Sequence, residues 1–204
     1  METAPAASPE VPQAEFLFQL FIVALSFSGL GTVTTLNDTL AANGAKYYEA
    51  GNATDALVSG SGTITADSAT VVQALFRRLG SDGSYYEAAV PSSSGVSEFM
   101  TTFDTTIFAA SGAQIYTGIA IANLDPLNAA TVVCTVRNSQ GAVIPNALTV
   151  PVLNPTGHWA SDLSPALAGL RGTLDCASNT KIGAIGLRFL GTNAMSSLPV
   201  IPIR

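Results

Sequence analysis

Few side chains in this sequence are able to perform chemistry. The single histidine, His158, excludes most metal and acid–base schemes, which need two imidazoles, and two cysteines cannot supply the usual four-ligand zinc site. His158, Asp162 and nearby serines include the residue types of a hydrolytic triad, but they lie within one short loop and lack a nucleophile on a strand. The simpler interpretation is that His158 and Trp159 pack over the edge of a sheet. No nucleophile elbow, phosphate-binding loop or dinucleotide-binding fingerprint occurs in the sequence.

Carboxylates are present, but their spacing indicates no particular site. Four of them could supply a glycoside-hydrolase pair only if the fold brought two together, because the spacing favours no pair. These four are Glu87, Glu98, Asp104 and Asp125. Asp82, Asp125 and Asn128 lie in turns and could bind calcium, but they form no dense Asp-x-Asp cluster, and turn formation is the simpler explanation. We therefore predict a protein that is not an enzyme, with no cofactor and no metal site.

The two cysteines are predicted to face the interior of a β protein. Side chains alternate along a strand, so Cys134 shares the apolar face of Val132 and Val136, and Cys176 shares that of Leu174. Two outcomes are open at this point. A disulfide could span the two layers of a sandwich, or both residues could be buried free thiols that act as small hydrophobic side chains.

The composition indicates an all-β protein. Of the 204 residues, 48% are hydrophobic and 11% are charged, which allows a sizeable core and excludes a disordered chain. Thr, Val, Ser, Ala and Gly are preferred over Glu, Lys, Leu and Arg, a bias typical of strands and of secreted or surface-displayed β proteins. The formal charge of −6 and the absence of basic runs argue against nucleic acid as a partner and against electrostatic binding to anionic lipid.

Residues 16–36 carry no charge, and the first part of this segment is apolar enough for a membrane span or a signal-peptide core. The preceding residues include Glu2, Glu10 and Glu15 but no lysine or arginine, whereas a signal peptide begins with positive charge. Phe, Ile and Val also suit strands. A pair of buried strands is therefore the preferred prediction, and a membrane anchor is the alternative. Residues 1–13, rich in Pro and Ala, are predicted to form a disordered leader or linker.

An internal repeat with an offset of 110 residues organises the chain. It places the Gly-Thr segment 62–68 over 172–178 and Arg78 over Arg188, and both copies continue into apolar segments, 71–77 and 182–188. Small polar turns and proline-bearing strand ends follow in both copies. We predict two tandem immunoglobulin-like antiparallel β-sandwich units. The predicted boundaries are 14–93 for a first unit with compressed opening strands, 94–112 for a connecting segment and 113–204 for the second unit.

The second unit shows the clearer strand pattern. Short apolar segments separated by turn residues predict strands over 118–123, 130–137 and 147–153. Within residues 161–169, Ser164 before Pro165 and a closing glycine match the residue preferences of helix ends. A short helical turn is therefore predicted there.

Several of these runs together resemble a known kind of repeat: TGIAIAN at 117–123, ATV at 130–132, GTL at 172–174, IGLRF at 185–189 and LPV at 198–200. They are similar to tandem β-sandwich repeats of large secreted or cell-surface bacterial proteins of unassigned function. The resemblance covers about residues 40–200. It implies an extracellular accessory or structural module and supplies no functional residues. The compressed start and the two cysteines depart from the repeat pattern.

We expect a non-enzymatic module of an extracellular or cell-surface protein that serves adhesion, spacing or assembly. An incomplete first unit would expose an unpaired strand edge, which an apolar strand could complete within the chain or by exchange with another copy. The predicted assembly strand contains four alternate apolar residues: Phe18, Leu20, Ile22 and Ala24. The partner would be a protein or a second copy of the chain. The alternative is a carbohydrate-binding accessory domain in which Trp159 or Tyr86 stacks on a sugar ring of a polysaccharide.

Overall fold

The computed structural model describes residues 19–27, 32–41, 43–47, 61–66, 70–79, 83–108, 110–191 and 194–203, with the backbone alone for 19–27, 32–37, 63, 65 and 77–79. These residues form antiparallel strands joined by turns. The prediction of an all-β protein is confirmed for them. The described strands fall into three sheets of three, two and eight strands.

The first sheet contains the apolar segment near the amino end. Its strands are β1 (Gln19–Phe27), β2 (Thr32–Leu40) and β3 (Ser61–Ala66), in the order β2-β1-β3. β1 is central because its backbone pairs with β2 on one edge and with β3 on the other. The described part of segment 16–36 thus forms two paired strands, which agrees with the strand part of the preferred prediction; the burial of these strands stays a prediction. Leu20, Ile22 and Ala24 lie on β1, and Phe18 lies outside the described residues.

The second sheet is a hairpin of β4 (Gln73–Leu79) and β5 (Tyr85–Pro91). The third sheet contains the remaining eight strands: β6 (Val96–Asp104), β7 (Ile107–Phe108), β8 (Ala113–Asn123), β9 (Val132–Asn138), β10 (His158–Asp162), β11 (Arg171–Leu190), β12 (Ala194–Leu198) and β13 (Val200–Pro202). Its main order is β10-β8-β11-β6-β13, with β9 and β12 also on β11 and β7 on β8. Residues 94–112, expected to connect two units, include β6, an inner strand of this sheet.

The strand β11 spans 20 residues and is the axis of the large sheet. Its first half pairs with β6 and β9, and its second half pairs with β8 and β12. The register to β6 shifts between Ala177 and Ile182, and an irregularity of this kind bends a strand. The sheet therefore curls. At its closure, Thr117 Oγ1 on β8 accepts a hydrogen bond from Asp104 N at the end of β6 and donates one to Asp104 O.

The curl encloses one hydrophobic core between the two halves of the sheet. Alternate residues of each strand point inward, as the period of a strand requires. β6 supplies Phe99 and Phe103, β8 supplies Ile119 and Ile121, and the two halves of β11 meet through Leu174 and Ile182. The other buried members are Ala130, Val132, Val136, Leu153, Leu163, Leu167 and Cys176. Burial of this apolar surface is the main stabilising contribution to the fold.

The segment after β10 closes one end of the core, but it is not the helical turn predicted from sequence. Residues 163–170 form a series of turns in which Leu167 N donates to Leu163 O at 2.9 Å, a single bond of helical type. The predicted cap, Ser164, donates its backbone N–H to Asp162 Oδ1 at 2.8 Å instead. Thr105, fully buried, fixes the segment because its hydroxyl is placed to donate to Leu167 O or to Leu170 O. The buried side chains Leu163 and Leu167, not helix propensity, shape this segment.

The strand predicted over 147–153 is also wrong. Residues 147–152 are irregular, and Leu153 makes an isolated bridge to Ala130. Leu153 is buried while Val152 is 63% exposed, so the segment supplies apolar cover at a few positions without joining a ladder. The strand predicted over 118–123 is confirmed as part of β8. The strand predicted over 130–137 is confirmed from Val132 onward as β9, while Ala130 makes only the isolated bridge to Leu153.

The repeat identified in the sequence reappears as two hairpins with matching register. Arg78 is the register partner of Tyr86 in the hairpin of β4 and β5, and Arg188 is the register partner of Ser196 in the hairpin of β11 and β12. Adding 110 to both residue numbers of the first pair gives the second pair. β5 lies next to β12. Upstream, the two copies differ: segments 172–178 and 182–188 belong to one strand, whereas their counterparts fall in β3 and β4 of separate sheets.

Asn123 is a buried polar residue that joins two loops of the large sheet to β11. It is 2% exposed at the end of β8. Its Nδ2 donates to Asn128 O at 2.8 Å and to Asn154 O at 3.0 Å. Its Oδ1 accepts from Asp125 N at 3.0 Å and from Thr180 Oγ1 at 3.2 Å. One buried side chain thus satisfies its own donor and acceptor groups through several partly buried hydrogen bonds.

Candidate functional site

Cys134 and Cys176 form a disulfide. They are register partners on the neighbouring strands β9 and β11, with Cα atoms 4.0 Å apart. Both were expected to face inward, and Cys176 is fully buried while Cys134 packs against the core from a partly buried position. One of the two expectations was a disulfide that spans the two layers of a sandwich, and the observed disulfide does not do so. It joins adjacent strands because the fold places both cysteines in one sheet.

A groove of about 560 Å3 lies where the sheet closes. Seven of the residues that line it carry polar side chains: Thr102, Asp104, Asn138, Ser139, Arg171, Thr173 and Arg188. The two arginines stand near opposite ends of β11, where a straight strand would separate them by roughly 55 Å. The curl of the sheet brings both guanidinium groups to one carboxylate. This is the densest charged site among the described residues, and we take it as the candidate functional site.

Asp104 is the acidic centre of the groove. Its Oδ2 lies 3.5 Å from Arg188 Nη2 and 3.8 Å from Arg171 Nη2. Its Oδ1 accepts hydrogen bonds from Thr106 N at 3.0 Å and from Thr106 Oγ1 at 2.7 Å. Partial burial raises the pKa of Asp104, but the hydrogen bonds from Thr106 and the charges of the two arginines outweigh it, so the pKa is lowered. The carboxyl is therefore ionised at neutral pH, and it and the two arginines together carry one net positive charge.

The walls of the groove follow from strand register. Thr102 and Asp104 alternate with the buried Phe103 on β6, so their side chains point outward. On β11 their register partners are Thr173 and Arg171. Two cross-strand pairs, one of hydroxyls and one of opposite charges, thus stand side by side on the outer face.

A tight turn after β9 forms the rim of the groove. Asn138 Oδ1 accepts hydrogen bonds from Gln140 N and Ala142 N, both at 3.0 Å, and so fixes the turn. Beneath it, β11 approaches β9 so closely that a Cβ atom at Gly172 would lie 1.8 Å from Arg137 O. Glycine is required at this position because any other residue would collide with backbone.

The aromatic residues predicted to stack on sugars are not flat, open platforms. Trp159 on β10 is partly buried and packs against the core. Tyr86 on β5 is also partly exposed, and it makes interactions of its own. The more exposed tyrosines are Tyr47 at 72% and Tyr85 at 68%. The structure does not bring Trp159 and Tyr86 into one site, so glycan stacking at either residue stays a prediction.

His158 and Asp162 occupy the two ends of β10. Four residues of extended strand separate them by about 13 Å, too far for a hydrogen bond between their side chains. The arrangement cannot form a triad. Packing of this segment at the sheet edge, the simpler interpretation, agrees with the position of β10 at the end of the strand order.

The candidate calcium ligands are engaged in turn formation where the structure describes them. Asp125 Oδ1 accepts hydrogen bonds from Leu127 N at 2.8 Å and from Asn128 N at 2.9 Å. These bonds lower the pKa of Asp125. Asp82 lies outside the described residues. Within the described ranges, no three His, Cys, Asp or Glu side chains converge in a way that could hold a metal ion.

The groove was missed from sequence because its residues are far apart along the chain. Asp104 was noted as a carboxylate without a partner, and Arg188 as a position of the repeat. The available signal was the alternation Thr102-Phe103-Asp104 and Arg171-Gly172-Thr173, which puts polar side chains on one face of each strand. Nothing in that signal indicates which strands become neighbours.

Comparison of the chain with protein-family models, with curated proteins and with solved structures found no match. In the part of the chain that the structure describes, no helix has the length and hydropathy that crossing a membrane requires.

Proposed function

We propose that this chain is a non-enzymatic structural module of an extracellular or cell-surface protein. The observation that carries the proposal is the Cys134–Cys176 pairing on register positions of β9 and β11. Disulfides of this structural kind persist in oxidising compartments and are rare in reducing ones. The low charged fraction and the all-β fold support the same assignment.

The module consists, in this proposal, of two related units in tandem, each of the immunoglobulin-like sandwich type. The matching register of the hairpins β4-β5 and β11-β12 supports a common origin for the two halves. Their different upstream pairing agrees with a first unit whose opening strands are compressed. Adhesion, spacing or assembly is the role that such a module performs without a reaction centre.

Assembly would use the three-stranded sheet β2-β1-β3. β1 pairs along both edges within one chain, so exchange of this strand between two copies would preserve the same pairing. Among the strands that the structure describes, this sheet ends in β2 and β3, and the outer edge of an end strand can accept a further strand. Self-association through these strands is the specific form of the proposal.

The test compares two valine-to-aspartate variants of the full chain by sedimentation velocity. Val23→Asp places a charge in the centre of β1, opposite Leu36 and Ile64. Val71→Asp makes the same change at a residue that is 97% exposed and outside the strands. We expect the wild type and Val71→Asp to associate and Val23→Asp to lose association. A wild type that is monomeric at all concentrations overturns assembly through β1.

The compartment is tested separately. In protein secreted from its host, alkylation of the unfolded chain followed by mass spectrometry should detect no free thiol, because both cysteines are paired. Free thiols in most of the secreted chain would contradict the proposal.

Carbohydrate binding is the second candidate function, and the groove at Asp104 favours it more than the predicted aromatics do. An open groove with hydroxyl, amide and guanidinium groups offers the hydrogen-bonding groups that sugars use, at a volume within the range of about 300–1,000 Å3 common for ligand sites.

A further inference from the structure

The charges of the groove are arranged asymmetrically with respect to solvent. The side chain of Arg171 is 60% exposed and that of Arg188 is 36% exposed, whereas Asp104 is 20% exposed. A ligand that enters the groove therefore meets the two cations before it meets the carboxylate. Since the three groups carry one net positive charge, the groove attracts a monoanion although the whole chain carries a formal charge of −6.

The two guanidinium groups are held near each other without being saturated by Asp104. Charge-assisted hydrogen bonds between nitrogen and oxygen measure about 2.7–2.9 Å. The separations from Asp104 Oδ2, 3.5 and 3.8 Å, are longer than this. Each guanidinium has five N–H donors in a planar fork that matches a carboxylate. The pair is thus positioned to bind a second carboxylate on the solvent side.

The surroundings of the arginines indicate what carries that carboxylate. Thr102 and Thr173 stand as register partners beside the charged pair, and Asn138 lies at the rim. Hydroxyl and amide groups both donate and accept hydrogen bonds, as the hydroxyls of a sugar do. A peptide would instead require a strand edge or apolar pockets for its side chains, and the polar side chains Thr102, Asp104, Arg171 and Thr173 of this groove lie on a sheet face.

We propose that the groove binds an acidic saccharide of the uronic acid class, with its carboxylate between Arg171 and Arg188 and its hydroxyls bonded to Thr102, Thr173 and Asn138. This inference rests on the second candidate function above and assigns it a ligand class and a site. It is independent of assembly through β1.

The test is isothermal titration of the full chain with a galacturonic acid trimer, a neutral galactose trimer of equal length, and acetate. The acidic trimer should bind about tenfold more tightly than the neutral trimer, because loss of one charged hydrogen-bonding partner changes affinity by roughly that factor. Acetate alone should bind more weakly still. Equal binding of both trimers overturns the carboxylate assignment and leaves carbohydrate binding in place. No binding of either trimer overturns both, and acetate as strong as the acidic trimer overturns the saccharide.

Three variants locate the site. Arg188→Gln should weaken binding of the acidic trimer about tenfold. Lys181→Gln, an identical loss of charge at an exposed residue outside the groove, should leave it unchanged. Asp104→Asn removes the competing anion while keeping an acceptor for Thr106, so it should strengthen binding. Thermal unfolding of each variant shows that it is folded. Equal affinities of Arg188→Gln and Lys181→Gln would overturn the site, as would weaker binding by folded Asp104→Asn.

Discussion

At Gly172, the absence of a Cβ atom allows β11 and β9 to pair closely. A Cβ there would lie 1.8 Å from Arg137 O and 2.8 Å from Arg137 C, both backbone atoms of β9 that no rotamer change can move. The neighbouring disulfide four residues along β11 keeps the strands together. A larger residue could therefore be accommodated only by moving the backbone of the two strands, which costs free energy.

Gly172→Ala should lower the free energy of unfolding by about 3 kcal/mol, since overpacking against fixed backbone costs this much. Gly118→Ala is the matched control, because a Cβ on β8 would meet Phe189 Cε2 at an ordinary 3.7 Å. Its effect should stay within about 1 kcal/mol. Urea denaturation measures both. Equal destabilisation by the two variants would contradict the close approach at Gly172.

Asn123→Ala should lower the free energy of unfolding by about 2–4 kcal/mol, since it removes a buried side chain that makes several partly buried hydrogen bonds. Asn179→Ala also removes two hydrogen bonds: Thr131 N donates to Asn179 Oδ1, and Asn179 Nδ2 donates to Ala129 O. Because Asn179 is exposed, water replaces these bonds in the variant. That variant should lose about 1 kcal/mol or less. Urea denaturation of the two variants separates the effect of burial on the free energy of unfolding from the effect of losing hydrogen bonds. If the two variants lose equally, Asn123 is not the buried hub described above.

At the scale of the elements, the two halves of β11 pair with different neighbouring strands, as two separate strands would. The sequence indicates two apolar segments, 172–178 and 182–188, and the repeat treats them as separate. In the fold they are one strand whose register slips by a few residues in the middle. That irregularity lets each half keep its own pair of neighbours while the inward side chains of both reach one core.

The disulfide is the covalent link at this scale, since it ties β9 to the first half of β11. Replacing both cysteines by alanine should lower the free energy of unfolding by roughly 2–4 kcal/mol, because the unfolded chain loses a loop closed across 42 residues. Reduction of the wild type should have a similar effect, which serves as the control for the lost side-chain atoms. Urea denaturation with and without reductant measures it. A wild type whose stability does not depend on reductant would contradict this role.

The prediction of strands from sequence succeeded where alternation and turn residues determine the local structure. It failed where packing against the core determines the local structure. β8 and β9 follow from alternation bounded by turn residues. The failures, 147–153 and the helical turn within 161–169, both lie against the core through leucines. Leu163 and Leu167 are fixed by their packing in the core. The hydroxyl of Thr105, more than fifty residues earlier in the chain, bonds to the backbone of the same segment at Leu167 O or Leu170 O. No local pattern carries that information.

At the scale of the whole molecule, the trio Asp104, Arg171 and Arg188 links both ends of β11 to the end of β6. The lowered pKa of Asp104 means that the folded state favours its charged form. The stabilisation is therefore complete above the ordinary pKa of 3.8 and is lost as the pH falls below that value toward the folded pKa.

Asp104→Asn should consequently be about 1 kcal/mol less stable than the wild type at neutral pH, and the difference should shrink below about pH 3.8. Urea denaturation of both chains at neutral and at acidic pH measures it. A stability difference that is the same at both pH values would show that the charge of Asp104 contributes nothing to the closure of the sheet.

The sequence by itself determined the class of the fold, the strands with clear alternation, the inward direction of both cysteines and the repeat that reappears in two hairpins. Each of these depends on residues close in sequence, through the two-residue period of strands and the residue preferences of turns. Only the tertiary structure decided that the cysteines are neighbours in one sheet, that β11 is continuous, and that Arg171 and Arg188 share Asp104. These depend on which strands pair and how far the sheet curls, and packing of the whole core sets both.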